Sequence, residues 1–395
     1  MLDCFGVRLK ILVSAGEASG DLYTASLVER LRERWPQAEF FGCAGPRMQQ
    51  VGVRAVVDAA SLAVVGLAEV LRHIPRVYGE YRKLIRAAEA EGPDLAILTD
   101  SPDFNLRVAR QLKRRRVPVI YLVAPQVWAW RRGRLRLMRR VIDRLLCIFP
   151  FEEDYFRRQG IDAFYVGHPL SRLARPQFSR REFFSRNHLP EDRPLVALLP
   201  GSRRGEAGRH LPALIEACEL ISGRRPASFV WAAPAGGFLG GELENFREPI
   251  ARSSIQVIEG QTWDVLAQAE VALAASGTVT VEAALLGTPT VTFYRVSRLT
   301  WWLGRPLVNV PFYSMVNLVA GRAVVPELMQ NEVVGERLAA EALRLLDDSQ
   351  ARDRMRGELR EVARRLSGVE DPIERAAGLV EEFRRQWEVR QGSRA

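Results

Sequence analysis

Along the chain, short uninterrupted runs of apolar residues alternate with longer stretches in which apolar positions recur every three or four residues. The first series of runs is Leu9 to Ser14, Phe40 to Cys43, Leu95 to Thr99, Val117 to Val123 and Leu145 to Phe149. A second series follows at Leu195 to Leu199, Ser228 to Ala232, Ile255 to Ile258, Val271 to Ala275 and Thr288 to Thr292. Runs of this length read as strands and the periodic stretches between them as helices, so each series predicts β-α-β units around a parallel sheet. Between the two series, residues 168–194 carry Pro169, Pro176, Pro190 and Pro194 among many charges, the composition of an interdomain connection. The pattern predicts an α/β chain of two doubly wound domains, residues 1–170 and 171–395. The second includes charged amphipathic helices at its end that are free to pack back on the first. Ligands of such sheets bind at the C-terminal ends of the strands, and two sheets in tandem are expected to present those ends to one central cleft.

The loops at those ends carry the candidate chemistry. After the first strand comes Gly16-Glu17-Ala18-Ser19-Gly20-Asp21, a small-residue turn into a helix. It lets backbone approach a ligand at a helix N-terminus, or it is a tight turn in which Asp21 favours the positive end of that helix. Two carboxylates and the absence of G-x-G-x-x-G argue against pyrophosphate there. The strand Leu95 to Thr99 ends in Asp100-Ser101-Pro102-Asp103-Phe104-Asn105. Ser101 or Asp103 reads as a helix cap, while Asp100 stands where a general base would sit. In the second half, Pro200-Gly201-Ser202-Arg203-Arg204-Gly205-Glu206 and Ala275-Ser276-Gly277-Thr278 each separate a strand from a helix. Glycine, hydroxyl and guanidinium groups at two helix starts suit a pyrophosphate, and Glu282, one turn beyond Thr278, would face a ribose hydroxyl.

Gln126-Val127-Trp128-Ala129-Trp130 precedes seven arginines between Arg131 and Arg144. This reads either as a solvated cationic helix face or as a surface for phosphate, lipid head groups or single-stranded nucleic acid. Leu67, Val70, Leu71, Ile74, Val77, Tyr78, Tyr81, Leu84 and Ile85 form an apolar helical stripe flanked by arginines, with a kink expected at Pro75. Core packing and a membrane-surface helix both account for it, and Trp301 and Trp302 extend the second reading. His73, His168, His188 and His210 show no metal-ligand spacing, and His168 fits a turn.

The net charge of +10 adds an expectation of an anionic partner, although the excess is almost wholly arginine, with lysine only at Lys10, Lys83 and Lys113, which codon composition alone also produces. Cys4, Cys43, Cys147 and Cys218 are spaced too far apart for a metal or redox motif and are expected as free, mostly buried thiols. No signal-peptide pattern and no apolar run of about 18 residues is present, so a cytoplasmic or peripherally attached protein is expected.

Taken in order, these segments resemble the lipid A disaccharide synthases of Gram-negative bacteria. The resemblance rests on Gly16 to Asp21, Ala44-Gly45-Pro46-Arg47-Met48, Pro102 to Asn105, Val127 to Trp130, Phe149-Pro150-Phe151-Glu152, Gly167-His168-Pro169, Leu199 to Arg203, Ser276 to Thr278, and Asn317-Leu318-Val319-Ala320-Gly321-Arg322. Ser101 and Gln126 stand where other small residues are common in the family, which bears on substrate detail. What the resemblance implies is an inverting glycosyltransferase of two Rossmann-like domains, with no cofactor and no catalytic metal. It would join UDP-2,3-diacylglucosamine to 2,3-diacylglucosamine 1-phosphate on the cytoplasmic face of the inner membrane, held peripherally to that anionic surface. A homodimer is left open, and no nucleic-acid partner is implied. Asp100 is then the chosen base, with Glu17 as its competitor, and Arg203 the stabiliser of the departing diphosphate. Substrate contacts fall to Ser19, Gly20, Asp103, Asn105, Gln126 and Trp128, and to Ser202, Ser276, Gly277, Thr278, Glu282 and Asn317. Two other readings stand beside this one: a UDP-N-acetylglucosamine 2-epimerase or peptidoglycan glycosyltransferase, against which the first and fourth motifs argue, and a nucleic-acid-binding protein.

Overall fold

The computed structural model of the chain describes residues 9–62, 67–236, 240–308 and 310–392, and divides into two units, Met1–Pro169 with Ser367–Ala395, and Leu170–Leu366. In the first unit seven parallel strands, β1 (Lys10–Ala15), β2 (Glu39–Ala44), β3 (Arg54–Asp58), β4 (Leu95–Thr99), β5 (Val119–Leu122), β6 (Arg144–Cys147) and β7 (Ala163–Tyr165), lie in the order β3-β2-β1-β4-β5-β6-β7. In the second, β8 (Leu195–Leu199), β9 (Ser228–Ala233), β10 (Ile255–Glu259), β11 (Val271–Ala275), β12 (Thr290–Tyr294) and β13 (Glu327–Met329) follow the order β10-β9-β8-β11-β12-β13. The central strands β4, β8 and β11 are buried at every residue, as parallel strands covered by helices on both faces must be.

Each sheet reverses its strand order once, between β1 and β4 and between β8 and β11. At such a switch point the two following helices diverge to opposite faces and leave a crevice beyond the strand ends. Register places Ala15 beside Thr99 and Leu199 beside Ala274, so the loop after β1 meets the loop after β4, and the loop after β8 meets the loop after β11.

Counted above with the second domain but free to pack back on the first, the last helix, Pro372–Gly392, belongs to the first unit. It buries Ile373, Ala376, Ala377, Val380 and Phe383, while Arg34 of helix α1 (Ala18–Arg34) pairs with Glu374 and with Glu381 at 2.6 Å. Arg144 completes the anchor: almost wholly buried at the start of β6, it donates to Leu379 O at 3.1 Å and lies 5.3 Å from the Phe383 ring centre.

The apolar stripe resolves in part. Helix α3 (Leu67–Glu91) runs through Pro75 without interruption, and its Leu84 and Ile85 are core residues. Tyr78 is exposed, and the side chains of residues 67–74 lie outside the described ones. Cys43, Cys147 and Cys218 are buried free thiols, and Cys4 lies outside the described residues. Among the described residues no helix is long and apolar enough to cross a membrane.

Candidate active site

At the first switch point the carboxyl of Asp100 lies over the turn that opens α1. It accepts from Gly16 N at 2.9 Å and from Glu17 N at 3.2 Å. Glycine is required for this approach, since a Cβ at Gly20 would lie 1.7 Å from Asp100 Oδ2 and one at Gly16 would lie 2.3 Å from Ser101 Oγ. Asp100 and Ser101 both hold left-handed backbone, with φ of 49° and 39°. That conformation is fixed from behind, where the Asp100 carbonyl accepts from the Tyr121 hydroxyl and from Asn105 Nδ2 at 3.2 Å. Burial pushes the Asp100 carboxyl up to about 7, the bonds from Gly16 and Ser101 oppose the rise, and neighbouring Glu17 adds to it. Asp100 therefore exchanges its proton near neutrality, the range in which a carboxylate both accepts and gives up a proton readily. Glu17 is exposed, Ser19 is half-buried on the first turn of α1, and Gln126 is exposed.

Three residues expected to contact substrate or cap α1 do other work. Asn105, in α4 (Pro102–Arg114), is wholly buried. Its Oδ1 accepts from Ser14 Oγ at 2.7 Å and its Nδ2 donates to Thr99 O at 2.8 Å, so it ties β1 to β4 instead of facing a ligand. Trp128 is buried against Phe151, and its indole nitrogen donates to Glu152 Oε1 at 3.0 Å. The Glu152 carboxyl, pushed up to about 8 by burial, also accepts from Phe149 N. Asp21 lies in the first turn of α1, as the helix-end reading expects, but the hydrogen bonds of its side chain serve another helix. Its carboxylate accepts from Gly45 N, Arg47 N and Met48 N at 2.9–3.1 Å, and so caps α2 (Pro46–Gln50).

Asp103 is exposed at the start of α4, paired with Arg131 at 3.2 Å and with Arg134. The arginines beyond them divide by helical face. Arg136, Arg139 and Arg140 of α5 (Leu135–Val141) are solvated, while Leu135, Met138 and Val141 pack inward.

At the second switch point the loop after β8 bends at Gly201, whose φ of 124° places it against Glu206. Ser202 and Arg203 follow, exposed, and the helix Arg204–Ser222 begins with Arg203 as its N-cap residue. Sequence spacing missed the residue that fixes this loop. His210, buried on that helix, bonds Pro200 O through Nδ1 at 2.7 Å and accepts from Arg295 N at Nε2, 3.0 Å away. A backbone N–H only donates, so the proton sits on Nδ1; burial lowers the imidazole's pKa and keeps it neutral. One side chain thus holds the end of β8 to the segment following β12.

The loop after β11 exposes Gly277 and Thr278 at the start of the helix Thr278–Leu286. Ser276 Oγ donates to Tyr313 O at 3.0 Å. Glu282, partly exposed one turn in, is pushed up to about 7 by burial, against the lowering effect of its bond to Trp263. Asn317 was expected beside the donor, but it is buried and committed. It accepts from Val324 N and Val325 N and donates to Val325 O and to Glu327 Oε1. Glu327 in turn accepts from Tyr313 N and Ser314 N, so Asn317 acts on the loop that holds Ser276.

Comparison with known proteins gives the chain its family. The family described as lipid-A-disaccharide synthetase matches residues 11–373. A lipid-A-disaccharide synthase of Solibacter usitatus is 60% identical over 374 residues, covering 95% of this chain and 97% of the relative. One from Koribacter versatilis is 42% identical, covering 94% and 98%. Among solved structures, the UDP-GlcNAc 2-epimerase of Neisseria meningitidis, bound to UDP-GlcNAc, superimposes with a TM-score of 0.63 over 95% of this chain and 99% of its own at 13% identity, a likeness of fold.

Proposed function

The chain belongs to the lipid-A-disaccharide synthetase family, and on that premise we propose how its two units divide the reaction. The enzyme is a glycosyltransferase of lipid A biosynthesis, with two Rossmann-like α/β domains. UDP-2,3-diacylglucosamine is the donor and 2,3-diacylglucosamine 1-phosphate the acceptor. The acceptor's 6-hydroxyl oxygen attacks the donor's anomeric carbon with inversion, and the bond from that carbon to the diphosphate breaks. Its electron pair leaves with UDP, and the hydroxyl proton passes to a base.

Asp100 is that base. The observation that carries the assignment is its carboxyl at the first switch point, seated on the α1 turn and held near 7. Glu17 supports it by raising that value and remains the competing candidate. The second unit takes the donor. Arg203 meets the charge gathering on the diphosphate, helped by amides at the starts of the helices after Ser202 and Gly277, and Glu282 accepts from a ribose hydroxyl. Incubating the purified protein with both lipids and resolving the products by mass spectrometry tests this reading. Disaccharide 1-phosphate and UDP should form with wild type, and about 100- to 10,000-fold more slowly with Asp100→Asn. UDP should bind both proteins alike.

The enzyme works peripherally on the cytoplasmic face of the inner membrane, where both lipids reside. Exposed Tyr78 and Trp130, next to the arginines of α3 and α5, and exposed Trp302 support attachment to an anionic surface. Vesicle sedimentation should then rise with anionic lipid and fall with salt, and equal absence of binding to neutral and anionic vesicles would end this part of the reading. A homodimer is compatible with the same chemistry.

A further inference from the structure

We infer that Arg131 and Arg134 form the subsite for the acceptor's anomeric phosphate, and that Asp103 is the resident counter-ion which the phosphate replaces. The inference rests on the reading that the first unit takes the sugar phosphate. Two guanidiniums converge on the single carboxylate of Asp103, whose side chain is 72% exposed. One carboxylate balances one of two cations, so the cluster keeps an excess positive charge on an open side. The Arg134 side chain is only 19% exposed, and burial and the like charge of Arg131 both weaken its hold on its proton. A doubly charged phosphate monoester with three non-bridging oxygens matches two adjacent guanidiniums better than a single carboxylate does.

The arginines are also fixed in place. The Arg131 guanidinium lies 4.2 Å from the centre of the Trp130 ring, and its backbone is left-handed at φ 58°. That conformation is strained for a residue with a side chain and persists only where its surroundings fix it. Arg134 interacts electrostatically with Tyr121, the residue whose hydroxyl holds the Asp100 carbonyl. Arg134 and the Asp100 carbonyl thus both neighbour Tyr121, and on the acceptor the C1 phosphate and the reacting C6 hydroxyl lie on the two sides of the ring oxygen, close enough for neighbouring subsites. When displaced, the Asp103 carboxylate stays in the first turn of α4, where the helix end stabilises negative charge. Asp103 thus acts as a stand-in for the ligand, in place of the direct substrate contact expected of it.

The experiment pairs side-chain changes with a ligand change. Binding and turnover of 2,3-diacylglucosamine 1-phosphate and of its 1-O-methyl counterpart, both in detergent micelles, are measured for wild type, Arg131→Gln, Arg134→Gln and Asp103→Asn. Loss of charged contacts to phosphate should raise Kd and KM for the phosphorylated lipid by about 10- to 100-fold in either arginine variant, with kcat within about threefold. The 1-O-methyl lipid should bind wild type and variants equally weakly. Asp103→Asn should bind the phosphorylated lipid at least as tightly as wild type. Equal losses with both lipids in the arginine variants, or weaker binding in Asp103→Asn, would overturn the inference. Because Arg131 is exposed, its variant decides the matter even if Arg134→Gln does not fold. Preferential binding of the phosphorylated lipid that depends on the arginines, without any disaccharide formed, would uphold the subsite and refute the activity reading instead.

Discussion

If Asp100 is the base, the pH dependence of the reaction should carry its titration. With the carboxyl at about 7, the base form is about 1% of the total at pH 5, about 10% at pH 6 and half at pH 7. The kcat/KM for acceptor should therefore climb about tenfold per pH unit through the acid range and level above 7, since this ratio reports groups of the free enzyme. Asp100→Asn keeps the side chain's size and removes the limb together with about 100- to 10,000-fold of turnover. Glu17→Gln removes one of the causes that raise the carboxyl, so the limb should move to lower pH with activity kept. Stability provides a second check. The folded-state value lies above the ordinary 3.8, so between those values the native state holds a proton that the unfolded chain does not. The stability this contributes is present at low pH and is lost as pH rises through about 7. Wild type should therefore lose thermal midpoint relative to Asp100→Asn between pH 5 and 8, with the difference flat above that. The decisive measurements are pH–rate profiles of the three proteins, with UDP titration as a control. A limb that survives in Asp100→Asn at near-normal turnover, while Glu17→Gln is inactive and folded, would transfer the role to Glu17.

Three further outcomes follow from the geometry. Arg203→Lys keeps the charge without the planar fork and should lower kcat about 10- to 1,000-fold while UDP affinity falls less, as stopped-time assays and calorimetric titration would show. Gly20→Ala puts a methyl where Asp100 Oδ2 now lies, so the carboxyl must leave its seat and turnover should drop about 100-fold with UDP binding intact. Trp128→Phe leaves the buried Glu152 carboxyl short of a donor and should cost about 1–3 kcal/mol in denaturant unfolding, with acceptor KM unchanged.

Of the strands that the apolar pattern predicts, all but Ile255–Glu259 lie inside their sheets, where covered faces need unbroken apolar runs; that edge strand is predicted although it is only partly buried. Those it does not predict, Arg54–Asp58, Ala163–Tyr165 and Glu327–Met329, are all sheet edges. At an edge half the residues face solvent, and Arg54, Ala55 and Asp58 are exposed in a strand of five. The loops of the site are legible for a related reason. Glycine, proline, serine and aspartate directly after a buried strand mark a turn whatever its ligand. What each side chain does in that turn depends on partners remote in sequence, such as Ser14 for Asn105 and Arg295 for His210, and no local pattern carries that information. The last helix illustrates the same limit. Its amphipathic period is plain, yet the unit it joins is decided by Arg34 and Arg144, which lie far back in the chain.

The most distinctive sequence motifs turn out to join loops to one another. Val127-Trp128-Ala129-Trp130 and Phe149-Pro150-Phe151-Glu152 meet in the bond between Trp128 and Glu152. Asp21 of the first glycine-rich turn caps the helix that begins at Pro46, and Asn317 secures the loop that holds Ser276. A residue that must satisfy a fixed buried partner tolerates few replacements, so these positions are more specific in type than the groups facing solvent, such as Ser202 and Thr278. The backbone says the same thing from the other side. Asp100, Ser101, Val123 and Arg131 all hold left-handed conformations, and all lie at or beyond the C-terminal ends of β4 and β5. Valine in that region is strained by its branched side chain, and such strain persists only where surrounding bonds over-determine it. Here those bonds are Val123 N to Leu146 O and the paired donors on the Asp100 carbonyl. A frame of this kind fixes Asp100 and the arginine pair in advance, which is what the roles proposed for them require if binding energy is not to be spent on assembling them.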